Sequence, residues 1–397
     1  MSADTPEIDR YQPRFLRLHL TNFLSHRHSI LEFGDLVALV GPNASGKSNT
    51  VAAVKLLREI PIHGLPTALA RRGGFDQLRH RSAGHPYDPA IRIDFIFEGA
   101  SEESHYELKL KAISGKRYEV KRESAYINVL DQDNSPLVTE FTSASGVFNF
   151  EERIGGHIYS SRDADRAFPI PPGQSAINSG GSYASYLAGQ ALQSMQTVEI
   201  NPSSVAELQD PSSTKEYESD GSNSASLLET LSPTARAELA DEVASIVPGI
   251  TDIESRRYAD KLTTMFTQET NGRNRQFLAK QMSDGTLRVF GILLAMKQFP
   301  KPRLLVIEEP EVAIHLGALR TLVSLLEQET RNSQIVLTTH SADILDAVYI
   351  GDVRVVWNDG GSSSISRVAD YTIETVRSGL ITPGELLRAG SLDPESA

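Results

Sequence analysis

The spacing of apolar residues changes repeatedly along this chain. Near the N-terminus the period is two. Phe15-Leu16-Arg17-Leu18-His19-Leu20 largely alternates apolar with polar residues and predicts a strand, and residues 29–33 predict another. Leu36 to Val40 is continuously apolar, the pattern of a strand buried on both faces. In residues 49–59, Val51, Val54, Leu56 and Leu57 fall at helical spacing. Residues 91–97 and 105–111 return to period two and predict antiparallel strands with one wet face, a style continued at 118–120 and 125–129.

The middle is less regular. Residues 61–90 carry prolines at 61, 66, 86 and 89 and read as irregular; residues 161–226 are rich in Ser, Gly, Asn and Pro and read as loops. Helices are predicted at 224–231 and 233–246, and a short strand pair at 253–258 and 262–266. At 284–297 apolar residues surround most of the helix, so it is predicted to be well buried. The last third alternates strand (303–307), helix (316–330), strand (334–338), short helix (342–347) and strand (353–356). That order implies parallel strands joined by right-handed crossovers, an α/β protein. The expected segments are a sheet-rich 1–155, an insert lobe 156–300 and a C-terminal part of the core, 301–397.

Composition narrows the chemistry. The chain has 397 residues, 40% hydrophobic and 23% charged, an ordinary globular balance with room for two or three lobes. There are 0 cysteines, which excludes disulfides, thiolate zinc sites and Fe–S clusters. The net charge is -12, so contact with DNA requires a local patch. The densest one is Arg71, Arg72, Arg79, His80 and Arg81, which reads equally well as a phosphate-contacting or a solvated loop. No apolar run approaches the roughly 20 residues needed to cross a membrane, and the polar N-terminus, with Asp4, Glu7 and Asp9, has no signal-peptide core. A cytoplasmic chain without a membrane partner is expected. There is no internal repeat and no heptad run long enough to make a coiled-coil arm.

Gly41-Pro42-Asn43-Ala44-Ser45-Gly46-Lys47-Ser48 fits G-x-x-x-x-G-K-[ST] at every fixed position. A strand is predicted before it and a helix, beginning at Asn49, after it. That context gathers backbone N–H groups and a helix N-terminus around a triphosphate, with Lys47 reaching the β/γ-phosphates and Ser48 holding Mg²⁺. The strand at 303–307 ends in Glu308-Glu309-Pro310-Glu311. Glu308 is assigned to Mg²⁺ through water, and Glu309 to general base or water positioning. His340 ends the strand at 334–338, on the ligand side of an α/β sheet. Ser283-Asp284-Gly285-Thr286 opens the helix at 284–297; taken alone it is an ordinary serine cap.

In chain order the phosphate loop, Ser283-Asp284-Gly285-Thr286, Glu308-Glu309-Pro310-Glu311 and Thr338-Thr339-His340-Ser341 resemble the ABC-class, AAA-type ATPases related to SMC, RecF and OLD-family proteins, as a stand-alone chain without a Toprim domain. Residues 15–33, Asp220-Gly221-Ser222-Asn223, Val247-Pro248-Gly249-Ile250 and Thr382-Pro383-Gly384-Glu385-Leu386 look like further family segments. The resemblance implies a P-loop ABC-type ATPase head, with a mixed sheet core, an antiparallel β subdomain and a helical lobe. It implies ATP and Mg²⁺ at Gly41 to Asn49, Glu309 as catalytic glutamate, His340 as switch histidine and 312–315 as D-loop. Ser283 and Gly285 would act in trans on the γ-phosphate of a second copy, in a homodimer that sandwiches two ATPs. The sequence departs from the pattern in three places. Glu308 stands for the usual aspartate, Ser-Asp-Gly-Thr for Leu-Ser-Gly-Gly-Gln, and Leu316 for a common proline. Gln174 or Gln77 is the candidate magnesium-sensing glutamine.

The resemblance further implies an ATP-gated clamp or sensor acting on DNA, in repair or anti-phage (antiviral) defence. The roughly 55 residues after His340 are too few for a nuclease domain by ordinary domain sizes, so a separate nuclease or other effector is expected. The alternatives are a transporter nucleotide-binding subunit, disfavoured by the Ser-Asp-Gly-Thr and Glu-Glu-Pro-Glu segments, and an ATP switch that scarcely hydrolyses.

Overall fold

A strand with no polar position, such as Leu36 to Val40, is stable only where both its faces are covered. In the computed structural model all five of its residues are buried and it lies inside a parallel sheet. The structure describes residues 11–395 apart from 82–86, 116, 132, 155, 162–167, 180 and 215. Asp4, Glu7 and Asp9 lie outside the described residues.

In chain order the first strands are β1 (Pro13–Phe23), β2 (His26–Glu32), β3 (Leu36–Val40), β4 (Ala90–Phe97), β5 (Ser104–Ile113) and β6 (Arg117–Leu130). Next come β7 (Pro136–Ala144), β8 (Val147–Ile154), β9 (His157–Ser160), β10 (Phe168–Pro169), β11 (Met195–Val198) and β12 (Ile250–Tyr258). The last are β13 (Lys261–Thr270), β14 (Arg273–Leu278), β15 (Leu304–Glu308), β16 (Gln334–Thr339), β17 (Val353–Asp359) and β18 (Ser362–Arg367). The chain divides into two compact units that interleave in sequence. One comprises the chain up to Gly34, Pro42–Met195 and Val356–Ser366; the other Asp35–Gly41, Gln196–Val355 and the residues from Arg367.

The first unit is built on a nine-stranded antiparallel sheet, β10-β8-β7-β6-β5-β4-β1-β2, with β9 on β8. Period-two patterning explains its two faces. Leu18, Leu20, Ile93, Phe95, Tyr106, Leu108 and Ile127 are buried, while Arg17, His19 and Arg92 point to the other face around the Asp94 carboxylate. The longer helices of this unit are α1 (Lys47–His63) and α2 (Tyr183–Gln193). The expectation of irregular chain at 61–90 is corrected by helices at Leu65–Ala70 and Phe75–Leu78. Pro66 marked a start rather than a break: it sits in the first turn, where no backbone N–H is needed.

In the second unit the sheet order is β11-β15-β16-β3-β17, and the pairs β15/β16, β16/β3 and β3/β17 are parallel. α3 (Asp284–Met296) is buried at ten of its residues, as its all-round apolar sequence requires, and α4 (Leu316–Glu329) buries one stripe. The expected strand pair near 253–266 is a three-stranded sheet, β12-β13-β14. Its third strand, Arg-Asn-Arg-Gln-Phe-Leu, is mostly exposed and so carries no alternation to read. Among the described residues no helix is long and apolar enough to cross a membrane.

Candidate functional site

β3 runs into Gly41, and the loop then turns through two left-handed residues, Ala44 (φ 62°) and Gly46 (φ 118°), before α1 begins at Lys47. Left-handed residues at a helix entrance gather backbone N–H groups into an anion-binding concavity. The Ser45 hydroxyl is buried with no hydrogen-bond partner among the described residues. A buried, unanswered donor in such a loop fits an anionic ligand. Lys47 is nearly buried and its Nζ donates to the Pro42 carbonyl at 3.2 Å, so its ammonium is folded over the loop. Ser48 is exposed in the first turn of α1. Its hydroxyl is a hard oxygen of the kind that suits Mg²⁺.

The loop rests on a polar platform. His26 is fully buried; one ring nitrogen lies 2.9 Å from Ser29 Oγ, and the other 3.3 Å from the Gly46 carbonyl and 3.2 Å from Thr50 Oγ1. The hairpin of β17 and β18 brings Ser363 against the same place. Its Oγ donates to Ser25 Oγ at 2.7 Å, and Asn49 Nδ2 donates to that same hydroxyl at 2.7 Å. A Cβ on Gly46 would lie 2.3 Å from Ser363 Oγ. Glycine is therefore required there by contact as well as by φ.

Burial lowers the His26 pKa to about 4. A histidine held neutral in the fold stabilises it least where the unfolded chain takes up a proton. This contribution is complete above pH 6.5 and is lost between about pH 6.5 and 4, amounting to about 3 kcal/mol over the window. Thermal melting from pH 7.5 to 5 should show a decline that His26→Gln flattens. An equal slope in that variant contradicts the assignment.

In the second unit, register sets the other candidates. Val40 pairs with Thr339, and Thr338 with Glu308. The carboxyl ends of three adjacent parallel strands, β3, β16 and β15, thus lie side by side, and Gly41, His340 and Glu309 leave them at one sheet edge. Glu309 has φ 43°, unusual for a residue with a side chain, and its N–H donates to Thr338 O at 3.0 Å. The carboxylate is nearly half exposed, with Oε1 3.5 Å from His340 Nε2. Glu308 ends β15.

Ser283 caps α3, accepting from Thr286 N at 3.2 Å, so the ordinary capping role is present. Gly285 has a second reason to be glycine. A Cβ there would lie 2.2 Å from the Ala313 carbonyl oxygen, so the N-terminus of α3 is pressed against the backbone of loop 309–315. Two residues of this region carry no role in the sequence reading. Arg288, one turn into the Ser-Asp-Gly-Thr helix, is half-buried. Burial lowers its pKa, while Glu309, Asp284, Glu199 and Glu311 oppose that by their charge. Glu311 accepts from Thr339 Oγ1 at 2.8 Å and from His340 N at 2.9 Å. No local pattern in the sequence marked either.

The remaining candidates are placed as follows. Gln174 is exposed; the residues after it are anchored on the buried Glu123 carboxylate, which accepts from Ser175 Oγ at 2.6 Å, Ala176 N at 2.6 Å and Ile177 N at 3.1 Å. Gln77 accepts from Arg81 at 3.2 Å. In the basic cluster, Arg72 is paired with Glu59, Arg79 sits over the Phe75 ring beside Asp76, and His80 is buried against the Leu24 carbonyl. Arg71 and Arg81 are the exposed cations of the group.

A phosphate loop after the central parallel strand β3, carboxylates at the end of β15 with β16 between the two, and an antiparallel sheet unit define an ABC-class ATPase head of the SMC-like kind. The chain belongs to the family described as "AAA domain, putative AbiEii toxin, Type IV TA system", whose model matches residues 36–346. It is similar in fold to an Smc head bound to the C-terminal winged-helix domain of ScpA, with TM-score 0.56, 12% identity, and 91% and 99% of the two chains covered. A Pyrococcus furiosus Smc head with an extended coiled coil, bound to the C-terminal domain of ScpA, gives TM-score 0.54 at 11% identity, covering 93% and 99%. No curated protein matches the sequence.

Proposed function

We propose that this chain binds ATP with Mg²⁺ and hydrolyses it, and that two copies close on two nucleotides. The observation that carries the reading is the register of β3, β16 and β15, which sets the start of the phosphate loop, His340 and Glu309 at the ends of neighbouring strands. In this reading residues 41–49 hold the phosphates through backbone N–H groups, with Lys47 on the β/γ-phosphates. Ser48 and Glu308 hold Mg²⁺, which neutralises phosphate charge when bound. Glu309 orients and deprotonates the attacking water, and His340 hydrogen-bonds that water or the γ-phosphate. Ser283 and Gly285 face the partner's nucleotide. The exposure of Ser283 and of apolar Val312 and Leu316, which flank the loop backbone that Gly285 meets, supports a second copy as the partner of that surface.

We further propose a cytoplasmic clamp or sensor associated with DNA, in repair or anti-phage defence, working with a separate effector. Arg71 and Arg81 are the cations available for phosphates in this reading. The test is Mg²⁺-dependent phosphate release with and without double-stranded DNA, on the parent chain and on Arg71→Glu/Arg81→Glu. Release abolished by chelator, stimulated by DNA and left unstimulated in the variant is the expected result. Equal stimulation of both proteins removes the patch, and absence of release in every condition removes hydrolysis.

A further inference from the structure

We infer that Glu311, the last carboxylate of Glu-Glu-Pro-Glu, is the positioning residue that fixes His340 opposite Glu309. The inference rests on the ATPase reading for its consequence in turnover, but on geometry alone for the placement. Glu311 Oε1 takes two hydrogen bonds, from His340 N at 2.9 Å and from Thr339 Oγ1 at 2.8 Å. The Thr339 oxygen in turn accepts from Ser341 N at 2.9 Å, and Ser341 Oγ caps the following short helix by accepting from Ile344 N at 3.3 Å. One carboxylate oxygen thus organises the whole turn at the end of β16. A second tie runs the opposite way, from Glu309 N to the carbonyl of Thr338 at 3.0 Å. Between these two ties lie the side chains whose separation matters, Glu309 Oε1 and His340 Nε2, 3.5 Å apart.

The chemistry explains why this position is acidic. The backbone N–H of His340, the residue after the end of β16, is answered by a carboxylate oxygen. A charged acceptor makes the shorter and stronger bonds. With both donors on Oε1, that oxygen is committed to the protein chain, which separates Glu311 from the roles proposed for Glu308 and Glu309. Its other oxygen, Oε2, is buried without a hydrogen-bond partner among the described residues.

The experiment uses the full chain, with Glu311→Ala, Glu311→Gln and His340→Ala. The first readout is hydrogen exchange at the His340 amide, which needs no activity. Glu311→Ala is expected to speed exchange about tenfold through loss of one hydrogen bond of about 1.4 kcal/mol. Glu311→Gln, whose amide oxygen accepts the same two bonds, should restore most of the protection. The second readout is turnover. Glu311→Ala should lower kcat about 10- to 100-fold, the scale of a misplaced catalytic group, with KM for ATP little changed. Glu311→Gln should recover most of that kcat, and in the His340→Ala background Glu311→Ala should change kcat less than about twofold. Unchanged His340 exchange in Glu311→Ala overturns the placement whether or not the chain hydrolyses ATP. An undiminished kcat loss in the His340→Ala background overturns action through His340. A parent chain that shows the exchange pattern but no turnover leaves the placement standing and removes the ATPase reading instead.

Discussion

Glu309→Gln is expected to bind Mg²⁺-ATP as the parent chain does and to turn it over about 100- to 10,000-fold more slowly, the range for losing a general base. The substitution removes a negative charge and the ability to accept a proton, while keeping size and hydrogen-bonding reach. The backbone should tolerate it. Glu309 is held at φ 43° by its N–H bond to Thr338 O at 3.0 Å, and its side chain is nearly half exposed. No buried partner is left unsatisfied. Strain at one residue that the surrounding structure over-determines is common at reacting groups. Fluorescent-nucleotide binding and single-turnover hydrolysis check the two halves separately. Loss of binding would mean a structural carboxylate, and retained turnover would move the base elsewhere, Glu308 being the next carboxylate in line.

The second large effect is expected at Gly285. Alanine there puts a Cβ 2.2 Å from the Ala313 carbonyl oxygen, and a backbone atom cannot swing aside as a side-chain end can. Either the N-terminus of α3 or loop 309–315 must move. We expect a loss of about 2–3 kcal/mol, typical of overpacking, which lowers Tm by several degrees. Turnover should fall further than stability, because the displaced loop begins at Glu309 and the displaced helix end carries Ser283. Gly189→Ala is the matched control. It lies within α2, where the nearest atoms to an added Cβ are 3.8 and 3.9 Å away. It should leave turnover intact and add about 0.5–1 kcal/mol of stability as a helix Gly→Ala change. Equal behaviour of the two variants would contradict the contact argument.

Which parts of this molecule could be read in the sequence follows from the range of the forces involved. β3 was legible because five consecutive apolar residues have few other uses, and α3 because its apolar residues run all round. The phosphate loop is local chemistry with fixed spacing, and the structure adds the reasons beneath it, His26 and Ser363, which come from 20 residues before and more than 300 after. The helix at Leu65–Ala70 was hidden because proline signals a break and a first turn alike. β14 was hidden because an exposed strand keeps no hydrophobic period. Glu311 was the least visible. Its role exists only because β15 and β16 lie in register, a pairing between residues about 30 apart that no local pattern encodes. The interleaving of the two units has the same origin, since β3 lies in the first 41 residues and pairs with β16 and β17 near the end of the chain.

The measurement that tests the central claim most directly is Mg²⁺-ATP turnover per chain as a function of protein concentration, with Glu309→Gln as the blank and the mass in solution recorded at each point. Sites completed by a second copy predict turnover per chain that rises with concentration in step with the fraction of dimer and disappears in the variant. Turnover that stays constant while the chain remains monomeric, or that survives in Glu309→Gln, would contradict shared sites and the assigned base respectively.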